Sequence, residues 1–127
     1  MRHSRNAGFT LIELLLVVVI IGILAAIAVP KFASTKGRAN VAAMRADLHN
    51  LAAAEETYFF SSDQYTNSLR ALNFTGSPGV TITIHEATGS GWSATATHPS
   101  TVESCAVFYG TAAAVSPASV EAQVRCS

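Results

Sequence analysis

The sequence predicts an α+β protein, in which one long N-terminal helix packs on a small antiparallel β-sheet of three to four strands. Three observations support this fold class. An apolar run covers residues 11–29 and contains one charge, Glu13. A helical repeat of apolar side chains continues to about Phe60. Strict alternation of apolar and polar residues begins at Val80. One half of the predicted helix is therefore apolar on all sides, and the other half supports the domain.

Length and charge narrow the classes of protein that fit. The chain has 127 residues, which is enough for one domain with one modest core. Eight basic and eight acidic residues give a formal net charge of zero. The basic residues form neither a stripe nor a patch interleaved with aromatic residues, so no nucleic acid is required as a partner.

The second half of the predicted helix carries one apolar stripe. Its members recur at three- and four-residue spacing: Val41, Met44, Leu48, Leu51, Tyr58 and Phe59. Most polar residues of this half, Asp47 among them, are predicted to face away from the stripe. Glu55 is the exception, since at 100° per residue it falls near the middle of the stripe. We predict that Glu55 caps a turn or bonds the backbone of the following loop.

The remaining chain predicts a connecting region and a sheet. Residues 61–79 are rich in turn-forming residues. The predicted strands are residues 80–85, 92–97 and 104–109, with a less regular fourth at 120–126. Residues 87–91 join the first two strands as a hairpin. The apolar face of this sheet is expected to pack on the helical stripe.

Cys105 and Cys126 are the two cysteines. An even count in a small exported domain favours a disulfide, and the alternative is a pair of buried free thiols in a cytosolic protein. A loop of this length would stabilise the fold by roughly 3 kcal/mol in the chain-entropy estimate.

The four histidines suggest no metal site. His3, His49, His85 and His98 are scattered, and no pair has convincing metal-ligand spacing. No general base is identifiable for the Ser104-Cys105 pair. The sequence therefore predicts no metal, no cofactor and no enzymatic activity.

The N-terminal segment is open to more than one interpretation. Residues 1–8 are polar and basic through Arg2 and Arg5, which holds the N-terminus of a following apolar span in the cytoplasm. The length of the run fits a transmembrane helix, because about 20 apolar residues span roughly 30 Å of hydrocarbon. It also fits an ordinary secretory signal, since the Ala26-Ile27-Ala28 triplet resembles a cleavage site before Val29.

Glu13 favours a third interpretation. It is a carboxylate one turn into the apolar run, and a charged side chain within hydrocarbon is costly. A simple anchor or a secretory signal has no reason to carry it. A helix that polymerises does have a reason, if another subunit supplies a positive partner.

Residues 8–30, GFTLIELLLVVVIIGILAAIAVP, resemble the N-terminus of type IV pilins and of the pseudopilins of type II secretion. The resemblance implies a lollipop-shaped pilin with three parts. These are a leader peptide at residues 1–8, a transmembrane and polymerisation helix at 9–30, and a globular head at 31–127 that includes the amphipathic second half of the helix. It also implies that a prepilin peptidase cuts between Gly8 and Phe9, and that Phe9 is then N-methylated.

The resemblance further implies roles for three residues of the helix. In the family, a glutamate at the position of Glu13 is linked to the new N-terminal amine of a neighbouring subunit, so Phe9 and Glu13 would act together in assembly. The alternative is that Glu13 lies at headgroup depth. Helices with the pattern of Gly22 and Pro30 often lose helical structure between these residues in the filament, and the alternative is a bent but continuous helix.

By the same resemblance, the function is that of a structural subunit of a type IV pilus filament, as the major pilin, in adhesion, twitching motility or DNA uptake. The implied partners are further copies in a helical homo-oligomer, the prepilin peptidase, an assembly ATPase and an inner-membrane platform protein. The precursor would lie in the inner membrane, and the mature subunit in an extracellular filament on the cell surface.

The alternative is a pseudopilin of a type II secretion system, or a minor pilin. Major pseudopilins often carry a calcium site of acidic loop residues and usually lack the C-terminal disulfide. Here the acidic residues after Asp63 are the isolated Glu86, Glu103 and Glu121, and two cysteines are present. Both features favour the pilus.

Overall fold

The structure, a computed structural model, describes residues 8–127. One helix precedes four strands along this part of the chain: α1 at Leu11–Ser62, β1 at Thr81–Ala87, β2 at Gly91–Thr97, β3 at Ser104–Gly110 and β4 at Arg125–Cys126. The α+β fold class is confirmed. The chain divides into two compact units, Met1–Thr35 and Lys36–Ser127.

In the first unit, α1 is an apolar helix whose side chains meet no other element. Every large apolar side chain between Leu11 and Val29 exposes at least 46% of its surface. The helix continues through Gly22 and Pro30 without a break. By length and composition it can cross a membrane, a property that a secretory signal shares.

In the second unit, the remaining half of α1 packs on the sheet. Met44, Leu48 and Leu51 are fully buried, as the apolar stripe predicted. The sheet supplies the opposite wall of the core with Trp92, Ala94, Ala96, Cys105 and Val107. Burying one large aliphatic or aromatic side chain is worth roughly 1.5–3 kcal/mol, so these residues hold the helix to the sheet.

The sheet is antiparallel throughout, with its strands in the order β1-β2-β3-β4. The first three strands lie within two residues of their predicted bounds. Trp92 pairs with Tyr109 across β2 and β3, and their rings stack with centroids 5.0 Å apart. A bulge between Ile84 and Glu86 shifts the register near the end of β1.

The predicted fourth strand at residues 120–126 is wrong in length, because β4 contains only Arg125 and Cys126. Glu121 accepts a hydrogen bond from the Gly110 N–H at 2.8 Å, and the Ala122 N–H donates to the Phe108 carbonyl at 2.9 Å. Ala122 adopts a left-handed φ of 61°. The chain therefore turns here, and regular pairing resumes only at Arg125.

A disulfide joins Cys105 to Cys126, as the cysteine count favoured. The two residues lie opposite each other in the β3–β4 ladder, with Cα atoms 4.0 Å apart. Ser104 and Ser127 exchange two backbone hydrogen bonds beside it, at 2.9 and 3.0 Å. The last residues of the chain are thus fixed to a central strand.

Asp47 was predicted to face away from the core, and this was wrong. It is 4% exposed. Its carboxylate accepts hydrogen bonds from the N–H and the Oγ of Ser77, at 2.6 and 2.8 Å. The connecting region folds back over this side of the helix, so a carboxylate on the edge of the stripe becomes the anchor of a loop.

Glu55 bonds the backbone of the loop after α1, as predicted. It is fully buried, and its Oε2 accepts a hydrogen bond from the Thr66 N–H at 3.1 Å. Its Oε1 is buried without a hydrogen-bond partner. Burial raises the pKa of the Glu55 carboxyl, and the bond from Thr66 opposes that effect only in part. Next to it, Tyr65 stacks on Phe59 with ring centroids 4.7 Å apart, so the end of the helix is tied to the connecting region.

We predict that Asp47→Ala destabilises the second unit by about 1.5–3 kcal/mol, because both hydrogen bonds to a charged acceptor are lost. Denaturant unfolding of the detergent-solubilised full chain measures this. Asn50→Ala is the matched control, since Asn50 is exposed on the same helix. Equal stability of the Asp47→Ala variant and the wild-type protein would contradict the anchoring role.

We predict that Glu55 makes the free energy of unfolding fall as pH rises. A carboxyl whose pKa is higher in the folded than in the unfolded state binds more protons when folded, so stability is greatest below the unfolded pKa and is lost as pH rises through the folded one. The Glu55→Gln substitution removes this dependence of stability on pH. At pH 8 the variant is more stable than the wild-type protein. Unfolding measured between pH 4.5 and 8 tests it, with the exposed Glu103→Gln as the control that keeps the slope.

Candidate functional site

The start of α1 is a reciprocal capping box formed by Thr10 and Glu13. The Thr10 N–H and Oγ donate hydrogen bonds to Oε2 of Glu13, at 2.9 and 2.7 Å. The Glu13 N–H donates in return to the Thr10 Oγ at 3.3 Å. This arrangement satisfies backbone donors that the first turn of a helix leaves free. It also places the negative charge at the positive end of the helix dipole.

The capping box leaves half of the Glu13 carboxylate available. Both bonds from Thr10 go to Oε2, and Oε1 accepts no hydrogen bond from any residue between 8 and 127. Glu13 and Phe9 are both exposed, Phe9 at 79% of its surface. A cation from outside the chain therefore has access to Oε1 without breaking the cap.

The expected processing position lies just before this turn. Gly8 and Phe9 are exposed and precede the helix. A Cβ atom added at Gly8 would meet no atom within 4 Å, so the fold itself does not require glycine there. Arg2 and Arg5 of the expected leader lie outside the described residues. Cleavage between Gly8 and Phe9 and methylation of Phe9 stay predictions.

Gly22 is likewise not explained by the single subunit. A Cβ atom at Gly22 would meet nothing within 4 Å, and glycine in a helix interior costs roughly 0.5–1 kcal/mol relative to alanine. Pro30 lies inside the same helix, where it removes one backbone hydrogen bond. A break between the two residues in an assembled state stays a prediction, because the structure describes one copy.

Sequence reasoning identified Glu13 from its charge and missed the role of Thr10. The signal was present, since Thr10-x-x-Glu13 ahead of an apolar run is the pattern of a capping box. The structure brings these two residues together with Phe9 at one end of α1, whereas Cys105 and Cys126 belong to the second unit. Within residues 8–127, no group of three or more His, Cys, Asp or Glu side chains is placed to hold a metal ion.

Comparison with known proteins gives a family model at the same end of the chain. Residues 3–29 match the prokaryotic N-terminal methylation motif. The chain is 42% identical over 72 residues to the type IV major pilin protein PilA of Myxococcus xanthus, an alignment that covers 57% of this chain and 33% of that protein. It is 44% identical over 69 residues to the type IV wide pilus major component PilA4 of Thermus thermophilus, covering 54% and 53%.

A secretion protein is similar to the same extent. The type II secretion system core protein G of Pseudomonas aeruginosa is 39% identical over 72 residues, covering 57% of this chain and 51% of that protein. The alignments thus span between a third and about half of the relatives' own length. The chain carries the prokaryotic N-terminal methylation motif and, over a little more than half of its length, resembles the type IV major pilins and the type II secretion core protein G.

Proposed function

We propose that this chain is the structural subunit of a type IV pilus filament, and specifically its major pilin. The observation that carries the proposal is the uncovered apolar helix at residues 11–29, which begins with a carboxylate whose Oε1 is free. Similarity to the major components of two type IV pili supports it. The protein acts by polymerising and has no catalytic role.

Processing supplies the cation that the site lacks. A prepilin peptidase cuts between Gly8 and Phe9, and the new amine of Phe9 is N-methylated but still positively charged. Removing the leader takes away Arg2 and Arg5, so the mature chain has six basic and eight acidic residues, a formal charge of −2 before the termini. Cleavage thus places a positive charge one helical turn before Glu13.

Glu13 then selects the position of the next subunit. In the membrane, the cap from Thr10 satisfies Oε2 of each copy. In the filament, the Phe9 amine of a neighbouring copy reaches Oε1. Opposite charges in an apolar core are each costly unless they are paired, so one axial register is strongly preferred over the others.

The apolar side chains supply the packing. They leave lipid rather than water on assembly, so the ordinary gain from removing apolar surface from water is small. Close packing between helices and the pairing of Glu13 therefore decide whether a subunit stays in the membrane or enters the filament. A local opening of the helix between Gly22 and Pro30 lets neighbouring helices fit, and this is the role we assign to these two residues.

The leader, the apolar helix and the proposed assembly together suggest where the protein is found in the cell. The precursor lies in the inner membrane with its leader in the cytoplasm, and the mature subunit ends in an extracellular filament on the cell surface. An assembly ATPase and an inner-membrane platform protein drive the transfer. The filament serves adhesion, twitching motility or DNA uptake.

The second candidate is a pseudopilin of type II secretion, which the similarity to core protein G favours. The disulfide between Cys105 and Cys126 supports the pilus, since major pseudopilins usually lack it. Two of the acidic residues beyond Asp63 are also engaged in the fold, because Glu86 and Glu121 accept hydrogen bonds from the Ala113 and Gly110 N–H groups. Abundant filaments on the cell surface distinguish the pilin from a pseudopilin of the envelope.

We predict that Glu13→Gln lowers the yield of filaments sheared from the native cells by about a hundredfold or more, because a buried amine loses its only partner. The glutamine still accepts the bonds from Thr10, so the cap survives. Thr10→Val is the matched variant that removes the hydroxyl and keeps the charge, and we expect it to lower the yield by about three- to tenfold. If filaments of the Glu13→Gln variant are as abundant as wild-type filaments while the subunit level is unchanged, charge pairing is not what assembles this protein.

A further inference from the structure

A basic groove lies on the second unit. It is lined by Arg45 and His49 of α1 and by Arg125 of β4, with Ala122, Gln123 and Val124 between them. Its volume is about 440 Å³. Two guanidinium groups in one groove repel each other, so an anion between them is favourable.

The groove is held in shape by the fold. Arg125 lies between two fixed points, since the disulfide joins the adjacent Cys126 to β3 and the Ala122 N–H bonds the Phe108 carbonyl. Arg45 projects from the part of α1 that carries the core residues Met44 and Leu48. The backbone of the groove is therefore fixed before binding, and the conformational freedom lost on binding is mainly that of the two exposed arginine side chains.

Neither arginine has a salt-bridge partner among residues 8–127. Arg45 and Arg125 are exposed, and within the described 8–127 segment no carboxylate lies within salt-bridge distance of either guanidinium. The net charge of Lys36–Ser127 is nevertheless negative, with five basic against seven acidic residues. A long polyanion such as nucleic acid is therefore repelled by most of this unit, and a single carboxylate suits the groove better.

The same unit displays a carboxylate of the required kind on the turn between β2 and β3. Glu103 is exposed there, and the adjacent Val102 is fully exposed. The turn is ordered by its own hydrogen bonds: the Thr101 N–H donates to the His98 carbonyl at 3.2 Å, and the Glu103 N–H donates to the Thr101 Oγ at 3.2 Å. An ordered turn with a carboxylate and an adjacent apolar side chain complements a basic groove whose lining also includes Ala122 and Val124.

We propose that the β2–β3 turn of a second copy docks in this groove. In this contact the Glu103 carboxylate lies between Arg45 and Arg125, and Val102 contacts the lining residues Ala122 and Val124. The inference rests on the proposed function, because polymerisation through α1 brings the heads of different copies together. The turn and the groove adjoin each other, because Ser104 next to Glu103 exchanges backbone hydrogen bonds with Ser127, two residues from Arg125. Each head therefore offers a turn and a groove side by side to its neighbours in the filament.

Charge reversal in the native cell tests the contact. The variants are Glu103→Arg, the pair Arg45→Glu with Arg125→Glu, and all three changes together. Glu103→Arg alone and the arginine pair alone each place like charges in contact. We expect each of them to lower the yield of sheared filaments at least about fivefold. The triple variant restores opposite charges and recovers most of the wild-type yield.

Controls separate this contact from folding and from general charge effects. Arg70→Glu reverses an exposed arginine outside the groove and leaves the yield unchanged. The subunit level and its disulfide are checked in every strain. If the double arginine variant fails to accumulate, Glu103→Gln and Glu103→Arg still test the turn. We expect Glu103→Arg to lower the filament yield more than Glu103→Gln does.

The outcomes are distinct. Wild-type yield from Glu103→Arg, or a triple variant no better than the arginine pair, overturns the docking inference and leaves the proposed function intact. Arginine variants that form normal filaments but lose binding of a DNA fragment assign the groove to phosphate and also overturn it. A wild-type strain without surface filaments overturns the proposed function, and the docking inference with it.

Discussion

Nothing in the described chain covers the apolar side chains of residues 11–29, and the rest of the molecule is arranged around that fact. Each large apolar side chain there exposes at least 46% of its surface. Apolar surface left in water costs about 25 cal/mol per Å². This cost is the reason for our proposal that the segment lies in lipid before assembly and against other copies afterwards. The second unit has its own core, built by Met44, Leu48 and Leu51 against the sheet, and does not depend on the apolar segment for it.

In the assembly that we propose, Glu13 is the residue whose interactions differ between the membrane and the filament. A carboxylate at the start of a membrane helix is tolerable because Thr10 caps it through Oε2. The same geometry leaves Oε1 without a hydrogen bond from residues 8–127, so the side chain that stabilises the helix start in the single subunit is also the one that we propose accepts a new amine in the filament. Gly22 and Pro30 follow the same logic, since each weakens the helix of the single copy without any gain visible there.

The sequence predicts most of this fold because its elements are locally periodic. The stripe on α1 and the alternation in β1 survive in the structure, whereas β2 and β3 also bury Ser93 and Ala106 between their core residues. Glu55 bonds the next loop, which was one of the two roles predicted for it. Asp47 and β4 were mispredicted for the same reason. Their hydrogen-bond partners lie far away in the sequence, where a local pattern cannot reveal them. Ser77 lies 30 residues from Asp47, and Gly110 lies 11 residues from Glu121. At the candidate site, Glu13 stood out by its charge, whereas Phe9 and Gly8 were assigned through resemblance, because cleavage depends on an enzyme that this chain does not encode.

We propose that the chain from Phe9 onward forms the filament subunit, and the intact mass of filaments sheared from the native cell is the sharpest test of that proposal. We expect one dominant chain that begins at N-methylated Phe9, with Cys105 and Cys126 oxidised and the mass lower by two hydrogens. The same chain found only in the envelope would make it a pseudopilin or a minor pilin. A mature chain that begins near Val29 would rule out a filament subunit of this kind, because the apolar helix would have been removed as a secretory signal.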